Sequence, residues 1–401
     1  MNRKALTVMI CGCAILLLSM GTRQSMGLFL GPVSETLGLD TQVFALAIGL
    51  QNLALGLGQP IMGSLADRFG TARMLAISAS LYVVGLVILS HATGPMDLYV
   101  ACGIFIGFGA SGSGYSLILG AVGRAASPEK RSLCLSVVSA FGSLGQLVAA
   151  PANQKLIASY GTATTFLILA IALGALVPLS AAMSGKAADT HDPLTEGQTL
   201  KQAVREALNH GSYSLLITGY FVCGFQLQFV ATHLPHYLSL NGQGEMAGLA
   251  VGLIGFFNFF GTLLFGLLAQ KYSKKRMLSV IYAVRSLAFI VFLILPVTQF
   301  SVLLFAAWLG FLWLGTVPLT TGLVATMFGV RYLSTLGAFV FVSHQLGSFA
   351  GSWLGGVVFD MTGSYDLMWK CAIALGFVAA IIHLPIKEAR AGRPAAAPAA
   401  A

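Results

Sequence analysis

The chain has 401 residues, 57% of them hydrophobic and 9% charged, with a formal net charge of +9. An average soluble domain carries roughly 25% charged residues, so a water-solvated globular fold is excluded. The six cysteines fall inside or at the edge of apolar stretches without metal-ligand spacing, and they read as small packing residues, with no metal site and no cofactor among them.

A bilayer-crossing helix needs about 20 mostly apolar residues, and twelve such stretches follow one another. The first, 6–30, stands behind Arg3 and Lys4 and has the outline of a secretory leader. Eleven further stretches and the lack of a clear cleavage site make it a first membrane span. Spans over 42–66, 72–91, 96–122, 132–157 and 162–183 complete a group of six. A polar linker, 184–212, carries Leu200, Val204 and Leu208 at helical spacing and predicts a short amphipathic helix. Six more spans cover 213–238, 246–270, 276–296, 300–327, 333–359 and 366–386, and the Ala- and Pro-rich tail 391–401 predicts disorder. The expected units are a bundle over 1–183, the linker, a second bundle over 213–390, and the tail.

Assigning alternate loops to two faces puts 18 of the 22 Lys and Arg on one face and only Lys155 and Lys370 on the other. By the positive-inside rule the crowded face is cytoplasmic and carries both termini, as in a multi-pass protein of a bacterial-type inner (plasma) membrane. The basic balance is therefore topology, and no nucleic-acid partner is expected.

The halves echo each other. Gly63-Ser-Leu-Ala-Asp67-Arg68-Phe-Gly70-Thr-Ala-Arg73 recurs 203 residues on as Gly266-Leu-Leu-Ala-Gln270-Lys271-Tyr-Ser273-Lys-Lys275-Arg276, and Gly145 and Gly161 recur at an offset of 202 as Gly347 and Gly363. A duplicated six-helix unit predicts two bundles around a midplane site, rocking to expose it to either side, with a single chain sufficient as a working monomer.

The 63–73 stretch resembles the loop signature of the major facilitator superfamily, and with the half repeat the resemblance covers nearly the whole chain. It implies an all-α membrane fold of twelve helices, in which Asp67, Arg68 and Arg73 form a charge latch that closes the cytoplasmic side of the outward-open state. Within that family, Arg23-Gln-Ser-Met-Gly-Leu-Phe and Ser343-His-Gln-Leu-Gly-Ser resemble the bacterial monocarboxylate and oxalate/formate carrier group. That group carries a basic residue in its eighth helix, whereas 258–266 has none here, which disfavours a dicarboxylate substrate. Signatures of drug and proton antiporters are imperfect, with Gly103 in place of an Arg, and Gly142, Gly145 and a displaced Pro151 in place of a Gly-Pro pair.

A charge at the bilayer centre costs roughly 2.5 to 3.5 kcal/mol. Arg23 and Arg285 lie within spans, while all 13 acids fall near one face or the other. A buried cation without a protein counter-ion invites an anion, and a substrate carboxylate suits the planar fork of Arg23. The competing reading for Arg23 is snorkelling or pairing with Glu35; Arg285, on a peripheral span, is expected to brace a neighbouring helix. His344 is the candidate proton-coupling group, since imidazole titrates near physiological pH, with Gln345 beside it. Gln226 stands 203 residues after Arg23, which predicts a place on the opposite wall. Tyr115, Gln146 and Asn258 are further candidates to line the cavity, as are Gln51 and Asn52, each weighed against a plain interhelical hydrogen bond. His233 and His236, around Pro235, read equally as an outer gate or an interfacial belt.

Gly107-Phe-Gly109-Ala-Ser-Gly112 spells a dinucleotide fingerprint but lies inside an apolar span with no strand before it, so close helix packing is the reading. The expected function is transport of a small organic anion, a monocarboxylate first, coupled to protons or to exchange. Proton-driven drug or metabolite efflux is the alternative. A membrane enzyme is not expected, because no nucleophile with its base is visible.

Overall fold

A computed structural model describes residues 3–127, 130–183, 199–329 and 332–389. Ten segments are long and apolar enough to cross a membrane. One of them, Cys134–Met183, holds two crossings, because the helix Arg131–Gly174 breaks at Gly161 with φ 75°, a conformation that glycine adopts freely. Leu333–Thr362 adds a further crossing of 30 residues, so the twelve expected spans are present.

They are numbered α1 (Arg3–Gln24, prolonged by the turn Met26–Phe29 and by Leu30–Leu37), α2 (Thr41–Phe69) and α3 (Thr71–Ser90). Next come α4 (Pro95–Tyr99, a π-helical Val100–Ile106, Gly107–Gly112 and Tyr115–Ala125) and α5 and α6, the two arms of Arg131–Gly174. The second set is α7 (Gly211–Leu240), α8 (Ala247–Leu268), α9 (Lys274–Ile294), α10 (Gln299–Phe311 with Thr316–Phe328), α11 (Leu333–Thr362) and α12 (Asp366–His383).

Helix association in lipid relies on close backbone approach, which small residues permit. A Cβ on Gly145 of α5 would overlap the Leu17 carbonyl oxygen of α1, and one on Gly347 of α11 would overlap the Phe221 carbonyl oxygen of α7. The same helix pair is thus welded by the same glycine in both halves. Gly107, Gly109 and Gly112 press on Ala54, Tyr82 and Ser78, which is the packing role read from sequence. Each bundle has its own apolar core: Phe29 stacks on Phe166 at 4.3 Å in the first, and Phe292 on Phe305 at 4.1 Å beside Trp369 in the second.

Within the linker, Leu200–Leu208 is helical and is started by a capping box of Thr199 and Gln202. Its buried face is Ala203 and Ala207, whereas Leu200 and Leu208 are exposed. The short helix expected here is present, and of the three spaced residues Val204 packs against the second bundle's core. Residues 184–198 and the tail 391–401 lie outside the described residues.

Contacts between the bundles gather at one end. Gly27 meets Ala231, Gly49 meets Phe349, Gly56 meets Gln345, and Gly252 meets Leu147 and Pro151, all from the midpoint of the helices toward the face opposite the termini. Among the described residues, the bundles part toward the terminal face and are shut at the other.

Candidate functional site

Arg23 ends the first segment of α1, where the chain tightens through Ser25 into the turn Met26–Phe29. Its guanidinium is half-buried, and its Nε is sealed from solvent without a hydrogen-bond partner. Among titratable groups, the phenols of Tyr82 on α3 and Tyr115 on α4 lie in electrostatic range of it, and Tyr82 is fully buried with its hydroxyl also unpartnered. Tyr115 presses its hydroxyl on Gly142 of α5, where a Cβ would collide with it. Two phenols and a cation thus stand near one another, with no carboxylate among the titratable groups in range.

The remaining candidates fall into separate groups. Gln146 donates to the Val251 carbonyl at 3.0 Å, and Asn258 donates to Ser143 Oγ at 3.1 Å while its Oδ1 accepts from the Leu314 amide at 3.0 Å and from Thr262. These two side chains clasp α5 to α8 across the interface. Gln345, 1% exposed, donates to the Asn52 carbonyl of α2 at 3.2 Å, and its Oε1 meets His344 Nδ1 at 3.0 Å. Asn52 itself donates back to the Ile48 carbonyl, and Gln51 Oε1 is buried without a partner.

Gln226 is a correction. It is fully buried inside the second bundle, donating to the Ala372 carbonyl at 2.8 Å and accepting from Arg285 Nη1 at 3.3 Å, so it does not line a wall facing Arg23. The duplication explains this. Arg285 stands 203 residues after Tyr82, as Gln226 does after Arg23, and the pair Arg23–Tyr82 of one half returns as Gln226–Arg285 in the other. The cation has changed helices. Arg285, 0% exposed, gives Nη2 to the Leu312 and Trp313 carbonyls at 2.6 and 3.1 Å, capping the first segment of α10, which is the bracing role expected of it.

At the closed end, Asp360 of α11 accepts from the amides of Thr41 and Gln42, at 3.1 and 2.7 Å, and so caps the N-terminus of α2 in the other bundle. Ser352 donates to the Ala45 carbonyl at 2.8 Å, and Gln154 donates to the Gly244 carbonyl while accepting from the Gly248 amide. His233 and His236 share the Tyr365 hydroxyl at 3.1 and 2.8 Å, which ties α7 to the start of α12 and is a structural role at the shut end. At the open end Arg68 and Arg73 are exposed, with Arg68 over the Phe69 ring at 5.2 Å; the Asp67 side chain lies outside what is described.

Sequence reasoning passed over Tyr82 and Asp360. Only Tyr82 had a signal, its offset of 203 from Arg285.

The family model of the Major Facilitator Superfamily matches residues 12–352 and 216–400. The chain belongs to the Major Facilitator Superfamily. Among facilitators that resemble it, monocarboxylate transporter 11 of Mus musculus is 26% identical over 93% of this chain and 85% of its own length. The multi-drug resistance efflux pump PmrA of Streptococcus pneumoniae is 24% identical over 86% of this chain and 87% of its own length. In three dimensions this facilitator is similar to a bacterial homologue of the human lysosomal transporter Spinster, solved in an inward-facing, unoccupied conformation, with a TM-score of 0.75 and 13% identity over 96% of this chain and 99% of that one. At that identity the likeness concerns the fold. It accords with the helical architecture described above.

Proposed function

We propose that this facilitator carries a small organic anion with one carboxylate, and that the carboxylate binds at Arg23. The observation that carries the reading is the partly sealed guanidinium beside Tyr82 and Tyr115, its Nε unpartnered and no acid within its set. An arriving carboxylate offers the two oxygens that a guanidinium and a phenol can share, each charge-assisted bond contributing about 1.5 to 3 kcal/mol. The similarity to a monocarboxylate transporter supports the same substrate class. Transport proceeds by alternating access: the shut end opens by releasing the cross-bundle bonds of Asp360, Gln146, Asn258 and Gln345, and the parted end closes with Asp67, Arg68 and Arg73 as its latch. Coupling is to protons, with His344 as the titrating group, or to exchange of one anion for another. The positive-inside distribution puts both termini in the cytoplasm of a bacterial-type inner membrane.

The similarity to PmrA favours drug efflux as a second reading. Uptake into proteoliposomes of labelled lactate, pyruvate, formate, oxalate, an aromatic acid and a cationic dye, with and without a proton gradient, separates the two. One acid accumulating, with uptake lost at least about 100-fold in a folded Arg23→Gln variant, is the expected result. Dye movement with no acid transported, or a folded variant with unchanged acid affinity, defeats the anion reading.

A further inference from the structure

At the shut end the two bundles enclose a cleft of about 170 Å³, walled by Leu28 and Gly31 of α1, Gln154 and Ile157 of α5, His236 of α7 and Ala247 of α8. Gly31 stands eight residues after Arg23, roughly 12 Å along at the rise of a helix, and on the side away from the termini. The cleft is therefore on the way to Arg23 for a molecule arriving at that face once the bundles part. A Cβ on Gly31 would stand 3.5 Å from His236 Cδ2, which turns the Cδ2–Nε2 edge of the ring toward α1 across the cleft. His236 keeps part of its surface uncovered.

The tie to Tyr365 uses one nitrogen of His236 and leaves the other, and its partners fix which nitrogen carries the hydrogen. His233 is 1% exposed and has no carboxylate among its hydrogen-bond partners, so it is neutral. Its Nε2 lies 2.7 Å from the Ser352 carbonyl, which only accepts; Nε2 thus bears the hydrogen and Nδ1 the lone pair. The Tyr365 hydroxyl donates to that lone pair at 3.1 Å, and its oxygen accepts from His236 Nδ1 at 2.8 Å. A neutral His236 then holds its remaining lone pair on Nε2, at the edge of the cleft. Ser352, His233, Tyr365 and His236 all belong to the second bundle, so the chain keeps its direction when the bundles part, and protonating Nε2 breaks none of its bonds. The other polar side chains on the wall are engaged: Gln154 by the Gly244 carbonyl and the Gly248 amide, and Ser239 by the Pro235 carbonyl at 3.1 Å. The ionisable groups around the ring are His233 on α7, Tyr365 on α12 and Asp360 on α11, within electrostatic range; the walls from α1, α5 and α8 bring none.

We propose that this cleft is a binding site for a small carboxylic acid, taken up together with one proton that lies between a carboxyl oxygen and His236 Nε2. An undissociated acid sets its O–H on the lone pair, and a carboxylate meets the N–H of the imidazolium. Both routes give the same complex, since the proton passes from oxygen to nitrogen while the O–H electron pair stays with the carboxylate. Leu28, Ile157 and Ala247 enclose the rest of the molecule, which suits a short aliphatic acid. The inference rests on the anion reading and adds to it a station ahead of Arg23, where acid and proton bind as a pair.

Diethyl pyrocarbonate tests this on the purified full chain, because it reacts with the lone pair of a neutral imidazole, and peptide mapping by mass spectrometry reads each histidine separately. His236 should be modified and His233 spared. Propionate should slow the modification of His236 at least about five-fold, and 1-propanol should leave it unchanged. The half-protecting concentration of propionate should rise about ten-fold from pH 7.5 to pH 8.5, because the complex holds one proton more than its free parts. Protection should persist in Arg23→Gln, which has lost uptake, so the cleft and the anion reading fail separately. An unmodified His236, equal protection by 1-propanol, protection independent of pH, or protection that vanishes with Arg23 overturns the proposal. If Arg23→Gln does not fold, Gly31→Val decides: it narrows the cleft beside His236 and should raise the half-protecting concentration at least about five-fold, and an unchanged value refutes the site.

Discussion

Glu388, just beyond α12, receives hydrogen bonds from Ser273 Oγ and the Lys275 amide, both at 2.6 Å, and so helps start α9. Partial burial pushes its carboxyl up, but the bonds from Ser273 and the Lys274 and Lys275 amides, with the Lys274 charge, outweigh that and hold it below its ordinary value. A carboxyl lowered in the folded state contributes stability that is whole above its unfolded value, about 4.3, and is lost as pH falls through the folded value. Glu388→Gln should therefore cost about 1 kcal/mol, part of it screened by solvent, equally at pH 7 and pH 5.5. The penalty should shrink toward zero in melting curves taken below pH 4. At this scale the sequence was read unevenly. Two cations among apolar residues announce themselves, and both are where buried charge was expected; Gln226 was misassigned because a repeat fixes height along a helix and leaves open which of two equivalent helices bears the charge. Asp360 gave no signal, since it takes its meaning from the backbone of a distant helix.

At the scale of the element, α2 and α11 are the informative pair. Along their shut half they touch repeatedly, and the carboxylate of Asp360 on one closes over the first amides of the other. Asp360→Asn keeps a single acceptor and loses the charge that complements the positive helix end, a difference of about 0.3–1 kcal/mol. Populations should move two- to five-fold toward the state open at that face. Spin labels on the outer ends of α2 and α11 would read this as a gain of the longer distance, and an unchanged distribution would rule out a latch. Glycines supply the second element-scale expectation. Gly224→Val forces a side chain into the His344 carbonyl and should abolish folded yield, whereas Gly337→Ala enters open space and should raise helix stability by about 0.5–1 kcal/mol. Folded yield after purification checks the first variant, and the melting temperature against the parent checks the second. That span boundaries were legible follows from bilayer thickness, which sets a length that any sequence must meet. The unwound and π-helical stretches of α1, α4 and α10 were not legible, because local apolarity is the same on either side of such a break.

For the whole molecule, the duplication was the most readable feature, and it carried the two-bundle architecture with it. The direction in which the bundles part was not readable, since a sequence that serves both states names neither. Its orientation in the membrane rests on the crowding of Lys and Arg on one face. A fluorescent protein fused to the C-terminus should fold and shine, and alkaline phosphatase fused there should stay inactive; the reverse pattern would turn the molecule over.

Gly161 is the entire connection between α5 and α6, and the other turns on that face are nearly as spare, three to six residues each between the spans. To a protease, an antibody or a phage tail fibre arriving from that side, the molecule offers almost no free loop to grip. It meets that compartment as a row of closely joined helix ends, and a handle for capture or imaging there would have to be built in.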